Sequence, residues 1–131
     1  MSTPPLNKIL IVDDEPDIRN VVQITLDISG DLDSDLCDSG AATIEYLTSH
    51  LPDLILLDVM MPGMDGPETL KQLKSNPKTA NIPVIFMTAK VQPAEVEAYY
   101  GMGVVGVISK PFNPRGLVAS VLEFWEKAHD E

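Results

Sequence analysis

Residues Leu54–Gly66 read LILLDVMMPGMDG. The run Leu54–Leu57 is aliphatic at every position, so it has no polar face to turn to water. That pattern suits a strand covered on both sides, as in a parallel sheet. The run stops at Asp58. The Pro62-Gly63 pair and Gly66 just beyond it have the composition of a turn. A buried strand that ends on a carboxylate and then turns is the unit from which the rest of the chain can be read.

The same unit recurs outward in both directions. Upstream lies Lys8–Asp13 (KILIVD), and downstream lie Pro83–Thr88 (PVIFMT) and Gly106–Lys110 (GVISK). A weaker stretch, Asp33–Asp38 (DSDLCD), alternates polar and apolar residues and is expected at an edge. Between the strands the spacing turns helical. Pro16–Ser29 sets Ile18, Val21, Val22 and Thr25 on one side, and Pro16 suits a first helical turn. Ala41–Ser49 carries Ile44 and Leu47; Pro67–Ser75 carries Leu70 and Leu73. Pro93–Gly101 has Val96 and Tyr100, and Gly116–Ala128 has Val118, Val121, Leu122 and Trp125. Ser75–Pro83 is a loop by its Pro and Asn content. Five strand–helix repeats with right-handed crossovers give an α/β doubly wound sheet.

The 131 residues suit one domain, and a 44% apolar composition excludes disorder. Twenty acids against nine bases leave a net charge of −11. This argues against binding to a phosphate backbone or an anionic membrane. The single cysteine, Cys37, cannot form an internal disulfide, and residues 1–7 have no signal-peptide pattern; a cytoplasmic protein is expected. No apolar run reaches the roughly 20 residues that span a bilayer. Residues 1–7 read as a flexible tail, 8–128 as the domain and 129–131 as a second tail. With no linker or further domain in view, a stand-alone unit is expected.

The polar residues sit where the apolar runs stop: Asp13-Asp14, Asp58, Thr88 and Lys110. In a parallel sheet these ends share one edge, and ligands of open α/β sheets bind beyond it. Carboxylates converging there repel by about 4 kcal/mol per pair at about 4 Å and an effective dielectric of about 20. A cation relieves this; hard oxygen ligands favour Mg²⁺, and the ligand spacing along one loop that marks a Ca²⁺-binding EF-hand is absent. A carboxylate flanked by a divalent ion, a lysine and a hydroxyl suits phosphoryl transfer through an aspartyl phosphate.

In four pieces, IVDDEP (Ile11–Pro16), LILLDVMMPGMDG (Leu54–Gly66), PVIFMTA (Pro83–Ala89) and SKPF (Ser109–Phe112), the chain resembles the receiver domain of two-component response regulators. The likeness runs from Lys8 to about Ala128. It implies a flavodoxin-like (βα)5 fold with strand order 2-1-3-4-5. It also implies that Asp58 is the phosphoacceptor for a phosphohistidine of a sensor histidine kinase or a histidine phosphotransfer protein. By the same likeness Asp14 ligates Mg²⁺ directly, Asp13 acts mainly through water, and the Met60 backbone carbonyl completes the protein ligands. Thr88 and Lys110 would contact phosphoryl oxygens, and the Lys110–Pro111 bond is typically cis. Output would pass to a protein partner or by onward phosphotransfer. One departure is Val107, where the family often carries Tyr or Phe as a rotamer switch. Coupling would then run through Thr88 and loop movement, or through Tyr99 or Tyr100.

Two other functions fit parts of the pattern. An aspartate-nucleophile phosphatase shares the carboxylate, Mg²⁺, Thr and Lys, but needs a second aspartate two residues after the nucleophile; here that residue is Met60, which transfers no proton. A non-phosphorylated interaction module of the same fold would not need the complete polar set. GMGVVG (Gly101–Gly106) matches a dinucleotide fingerprint in letters only, since it follows a helix and precedes a strand. His50 and His129 have no ligand-spaced partners, and Cys37 reads as a small buried hydrophobe. Tyr99, Tyr100, Phe124 and Trp125 read as packing residues or as part of a contact face.

Overall fold

The structure, a computed structural model, describes residues 3–30 and 32–129. Five strands alternate with five helices: β1 (Lys8–Val12), α1 (Pro16–Ile28), β2 (Asp33–Cys37), α2 (Gly40–Tyr46), β3 (Leu54–Asp58), α3 (Gly66–Ser75), β4 (Val84–Thr88), α4 (Pro93–Gly101), β5 (Gly106–Ser109) and α5 (Pro114–Ala128). The strands form one sheet in the order β2-β1-β3-β4-β5, and all neighbours are parallel. This is the doubly wound, flavodoxin-like fold expected from the sequence. The weakly patterned β2 lies at an edge and pairs only with β1.

Helices cover both faces, so the three central strands are apolar over most of their length. Ile9 and Ile11 join Leu54, Leu56, Ile85 and Met87 in a core closed by Val22 and Leu26 of α1 and Leu117, Val121 and Trp125 of α5. The alternate residues Leu10, Val12, Ile55, Leu57, Val84 and Phe86 pack beneath α2, α3 and α4. Helix starts follow local chemistry. The side chains of Ser39, Asp65 and Asn113 accept backbone amides at the heads of α2, α3 and α5, and prolines occupy the first turns of α1, α3, α4 and α5.

Several boundaries and faces differ from the sequence reading. β4 begins at Val84 because Pro83 has no amide for the ladder, although its carbonyl still accepts the Ile55 amide at 3.0 Å. α5 begins at Pro114, two residues before the Gly116 start read from the sequence, because Asn113 caps it. α1 turns Val22 and Leu26 inward; Val21 is exposed, and the Thr25 hydroxyl donates to the Val21 carbonyl. On α4 the inward ring is Tyr99, whose ring meets Phe86 edge to face at 5.3 Å, while Tyr100 is exposed. α4 has no clear apolar stripe, so the partner on the sheet selects the face.

Within the stretch 1–7, Pro4–Asn7 contacts the body of the fold. Leu6 is buried in the α1/α5 core, and the Trp125 indole donates to the Pro4 carbonyl at 2.8 Å. The Asn7 carbonyl accepts the Asp33 amide, and Asp53 accepts the Asn7 and Lys8 amides. At the other end, His129 packs on the Trp125 ring; residues 1, 2, 130 and 131 lie outside the described residues. No helix among the described residues is long and apolar enough to cross a membrane.

Candidate functional site

The carboxyl ends of β1, β3, β4 and β5 bring the polar residues to one edge. Asp13 and Asp14 follow β1 directly, and Asp58 is the last residue of β3. Ligand oxygens of Asp13, Asp14 and Asp58 all lie within 4.8 Å of one another. Asp13 is fully buried and Asp58 nearly so. Their compensation comes from the far end of the chain. Lys110 Nζ, held just past β5, is 2.7 Å from Asp13 Oδ2 and 3.1 Å from Asp58 Oδ1. The Lys110–Pro111 peptide bond is cis.

One ammonium does not neutralise three carboxylates. Burial, and then the neighbouring Asp13 charge, push the Asp58 carboxyl up to about 6 despite the bond from Lys110. Burial works against the Lys110 ammonium too, but the hydrogen bonds it donates to Asp13 and Asp58 outweigh it and hold its pKa above the ordinary value. The Asp14 Oδ1 atom is buried with no hydrogen-bond partner. A buried anionic oxygen left without a donor is costly unless a cation meets it. Together with the all-oxygen donor set, this fits a hard divalent ion such as Mg²⁺.

Contacts around the strand ends hold the carboxylates in place. The Glu15 amide donates to Asp13 Oδ1 at 2.9 Å, and the Asp13 amide donates to the Cys37 carbonyl at 3.2 Å. From α1 the Arg19 guanidinium reaches back to the Asp13 carbonyl at 2.7 Å. Beyond Asp58, Gly66 lies so close that a Cβ there would sit 2.6 Å from the Asp58 carbonyl oxygen. Sequence reasoning gave Gly66 only a turn role and did not single out Arg19. A basic residue on the first turns of the helix that follows an acidic pair was the available signal.

The other expected site residues are adjacent but differently engaged. Thr88 ends β4, buried, and its hydroxyl accepts the Lys90 amide at 3.0 Å rather than touching a carboxylate. The Met60 amide approaches Asp58 Oδ1 at 3.4 Å, while its side chain is 59% exposed. Val107 packs as an aliphatic residue against the sheet face beneath α2–α4. Tyr99 is fixed inside the core by Phe86, and Tyr100 faces outward.

The family of response regulator receiver domains matches residues 9–122. The chain belongs to this receiver family. The receiver is 39% identical over 113 residues to response regulator Rre1 of Synechocystis, covering 86% of this chain and 49% of Rre1. It is 40% identical over 113 residues to the phosphate regulon transcriptional regulatory protein PhoB of Pseudomonas aeruginosa, covering 85% of this chain and 48% of PhoB. The chain thus spans about half the length of these curated relatives. Chemotaxis protein CheY4 of Vibrio cholerae superposes with a TM-score of 0.84 at 28% identity, covering 92% of this chain and 99% of CheY4. The receiver is therefore of the CheY-like type, a signalling domain of two-component systems.

Proposed function

We propose that this receiver takes a phosphoryl group onto Asp58 from a phosphohistidine, donated by a sensor histidine kinase or a histidine phosphotransfer protein in the cytoplasm. The observation that carries the reading is the Asp58 carboxylate at a buried strand end, bonded to Lys110 at 3.1 Å within a cluster that includes the unpartnered Asp14 oxygen.

In the transfer, an Asp58 oxygen attacks phosphorus while the P–N bond to the donor imidazole breaks. The bonding pair leaves with the imidazole nitrogen, and Asp58 becomes an acyl phosphate. Lys110 already donates to Asp58 and is placed to follow the new charge onto a phosphoryl oxygen. The Thr88 hydroxyl, now bonded to the Lys90 amide, would donate to another phosphoryl oxygen. Asp13, Asp14, Asp58 and the Met60 backbone carbonyl would hold Mg²⁺, which when bound neutralises charge on the phosphoryl oxygens.

The added charge, about −1.5 to −2 by analogy with other phosphates, draws Thr88 and the loop after it inward. With Val107 at the usual aromatic switch, the signal passes through Thr88 and this loop to a protein partner or to onward phosphotransfer. The net charge of −11 fits a protein partner better than nucleic acid. Met60 offers no proton to a leaving group, which argues against the phosphatase alternative.

The test is treatment with acetyl phosphate and Mg²⁺ followed by intact-mass measurement. One phosphoryl group is expected on the native chain and none on Asp58→Asn. Modification that persists in Asp58→Asn would overturn the assignment, and saturable hydrolysis of p-nitrophenyl phosphate would restore the phosphatase.

A further inference from the structure

The later turns of α3 and the loop after it gather a cluster of lysines on an otherwise acidic chain. Of nine basic residues in a chain of net charge −11, three fall between positions 71 and 78: Lys71, Lys74 and Lys78. Lys8, Lys110 and Lys127 each sit in an ion pair, whereas among the described residues none of these three meets a carboxylate. All three are exposed. Lys74 is held in place: its Nζ donates to the Ala80 carbonyl at 3.1 Å, and its stem lies over Gly103.

A cavity of about 430 Å³ opens beside these lysines, between α3 and the end of α4. Pro67, Leu70 and Met102 give it an apolar floor, Lys71 and Lys74 form its rim, and Glu68 marks the end nearer the head of α3. Met102 is 44% exposed, and its flexible thioether suits an adaptable contact. A second cavity of about 390 Å³, toward α2, is bordered by Lys78. The ridge of α3 therefore stands between two hollows and carries unpaired positive charge.

We propose that the α3–α4 groove docks an acidic amphipathic helix of a partner protein. Its apolar residues would seat on Leu70 and Met102, and its carboxylates would pair with Lys71, Lys74 and Lys78. A second copy is a poor occupant, because a twofold contact through this patch sets lysine against lysine. Nucleic acid is a poor occupant too, since a phosphate backbone has nothing to seat on the apolar floor of Pro67, Leu70 and Met102. The groove shares no residue with the phosphoacceptor cluster, so the proposal stands whether or not Asp58 is phosphorylated.

The experiment is an amide-resolved NMR titration of the full chain. The probe is a synthetic helix of glutamates carrying leucines at one-face spacing; the control has those leucines replaced by serine. Shifts should gather over residues 67–78 and 101–103, and binding should weaken as salt rises. Lys71→Glu with Lys78→Glu should weaken binding roughly ten-fold. Lys71→Gln with Lys78→Gln gives the same direction should the charge reversal disturb folding. The control helix should lose most of the affinity. Shifts centred elsewhere, no binding, indifference to the lysine changes, or self-association without peptide would each overturn the proposal. An equal response to a DNA duplex would assign the patch to phosphate instead.

Discussion

Lys110 and Asp13 are 97 residues apart in the chain, and their side chains meet at 2.7 Å. The lysine closes the last strand and the aspartate follows the first, yet in the sheet order β1 and β5 are separated by β3 and β4. The contact therefore spans the site above Asp58 and joins both of its sides. Because Asp13 is fully buried, this bond is the main local offset to its charge.

Replacing Lys110 by alanine leaves buried carboxylates without their cation. The metal-free protein should lose about 3 kcal/mol at neutral pH, the scale of breaking a buried pair. Saturating Mg²⁺ should recover part of the loss. Thermal unfolding of both proteins, with and without the ion, measures it; an unchanged melting temperature would contradict the electrostatic account.

Asp58 titrates at about 6 in the folded protein, against 3.8 for a free carboxyl. The folded state binds this proton more tightly, so the group's contribution to stability is full below about pH 4 and is lost as pH rises through about 6. In the absence of divalent ions, Asp58→Asn should stabilise the protein at pH 7.5 by up to about 3 kcal/mol, and hardly at all at pH 4. Urea unfolding at the two pH values decides this. A stabilisation independent of pH would show that ionisation is not the cause.

Arg19→Met removes the hydrogen bond to the Asp13 carbonyl while keeping most of the side-chain volume. The Asp13-Asp14 turn should loosen and Mg²⁺ affinity fall roughly ten-fold, as when a group that orients a ligand is lost. Calorimetric titration with Mg²⁺ measures this, and circular dichroism should show the fold retained. Equal affinity in variant and native chain would remove Arg19 from the site.

Gly66→Ala places a methyl group 2.6 Å from the Asp58 carbonyl and 2.8 Å from the Val59 Cα, both backbone atoms that cannot swing aside. The expected cost is about 1–3 kcal/mol, with displacement of the β3 end and slower phosphorylation of Asp58. Gly116→Ala, where a Cβ meets nothing within 4 Å, is the control and should leave the Asp58 edge undisturbed.

Much of this molecule is legible in one dimension. The aliphatic runs at Lys8–Asp13, Leu54–Asp58 and Pro83–Thr88 mark strands buried on both faces, because a strand without a polar side has no other stable place. The polar residues that interrupt them mark the strand ends, so Asp13, Asp14, Asp58, Thr88 and Lys110 could be named as one group. What periodicity could not supply was the choice among equivalent faces and partners. Tyr99 rather than Tyr100 turns inward because Phe86 waits on the sheet, and Pro4–Asn7 is anchored because Trp125 offers a donor across the fold. Arg19 reaching back to Asp13, the unpartnered Asp14 oxygen, and the upward shift of Asp58 depend on distances between segments that the chain order leaves undefined. Local pattern determines which elements form and where they stop. Hydrogen bonding and burial among remote residues decide how the charges at those stops are held, because these forces act over a few ångströms of space, whatever the separation along the chain.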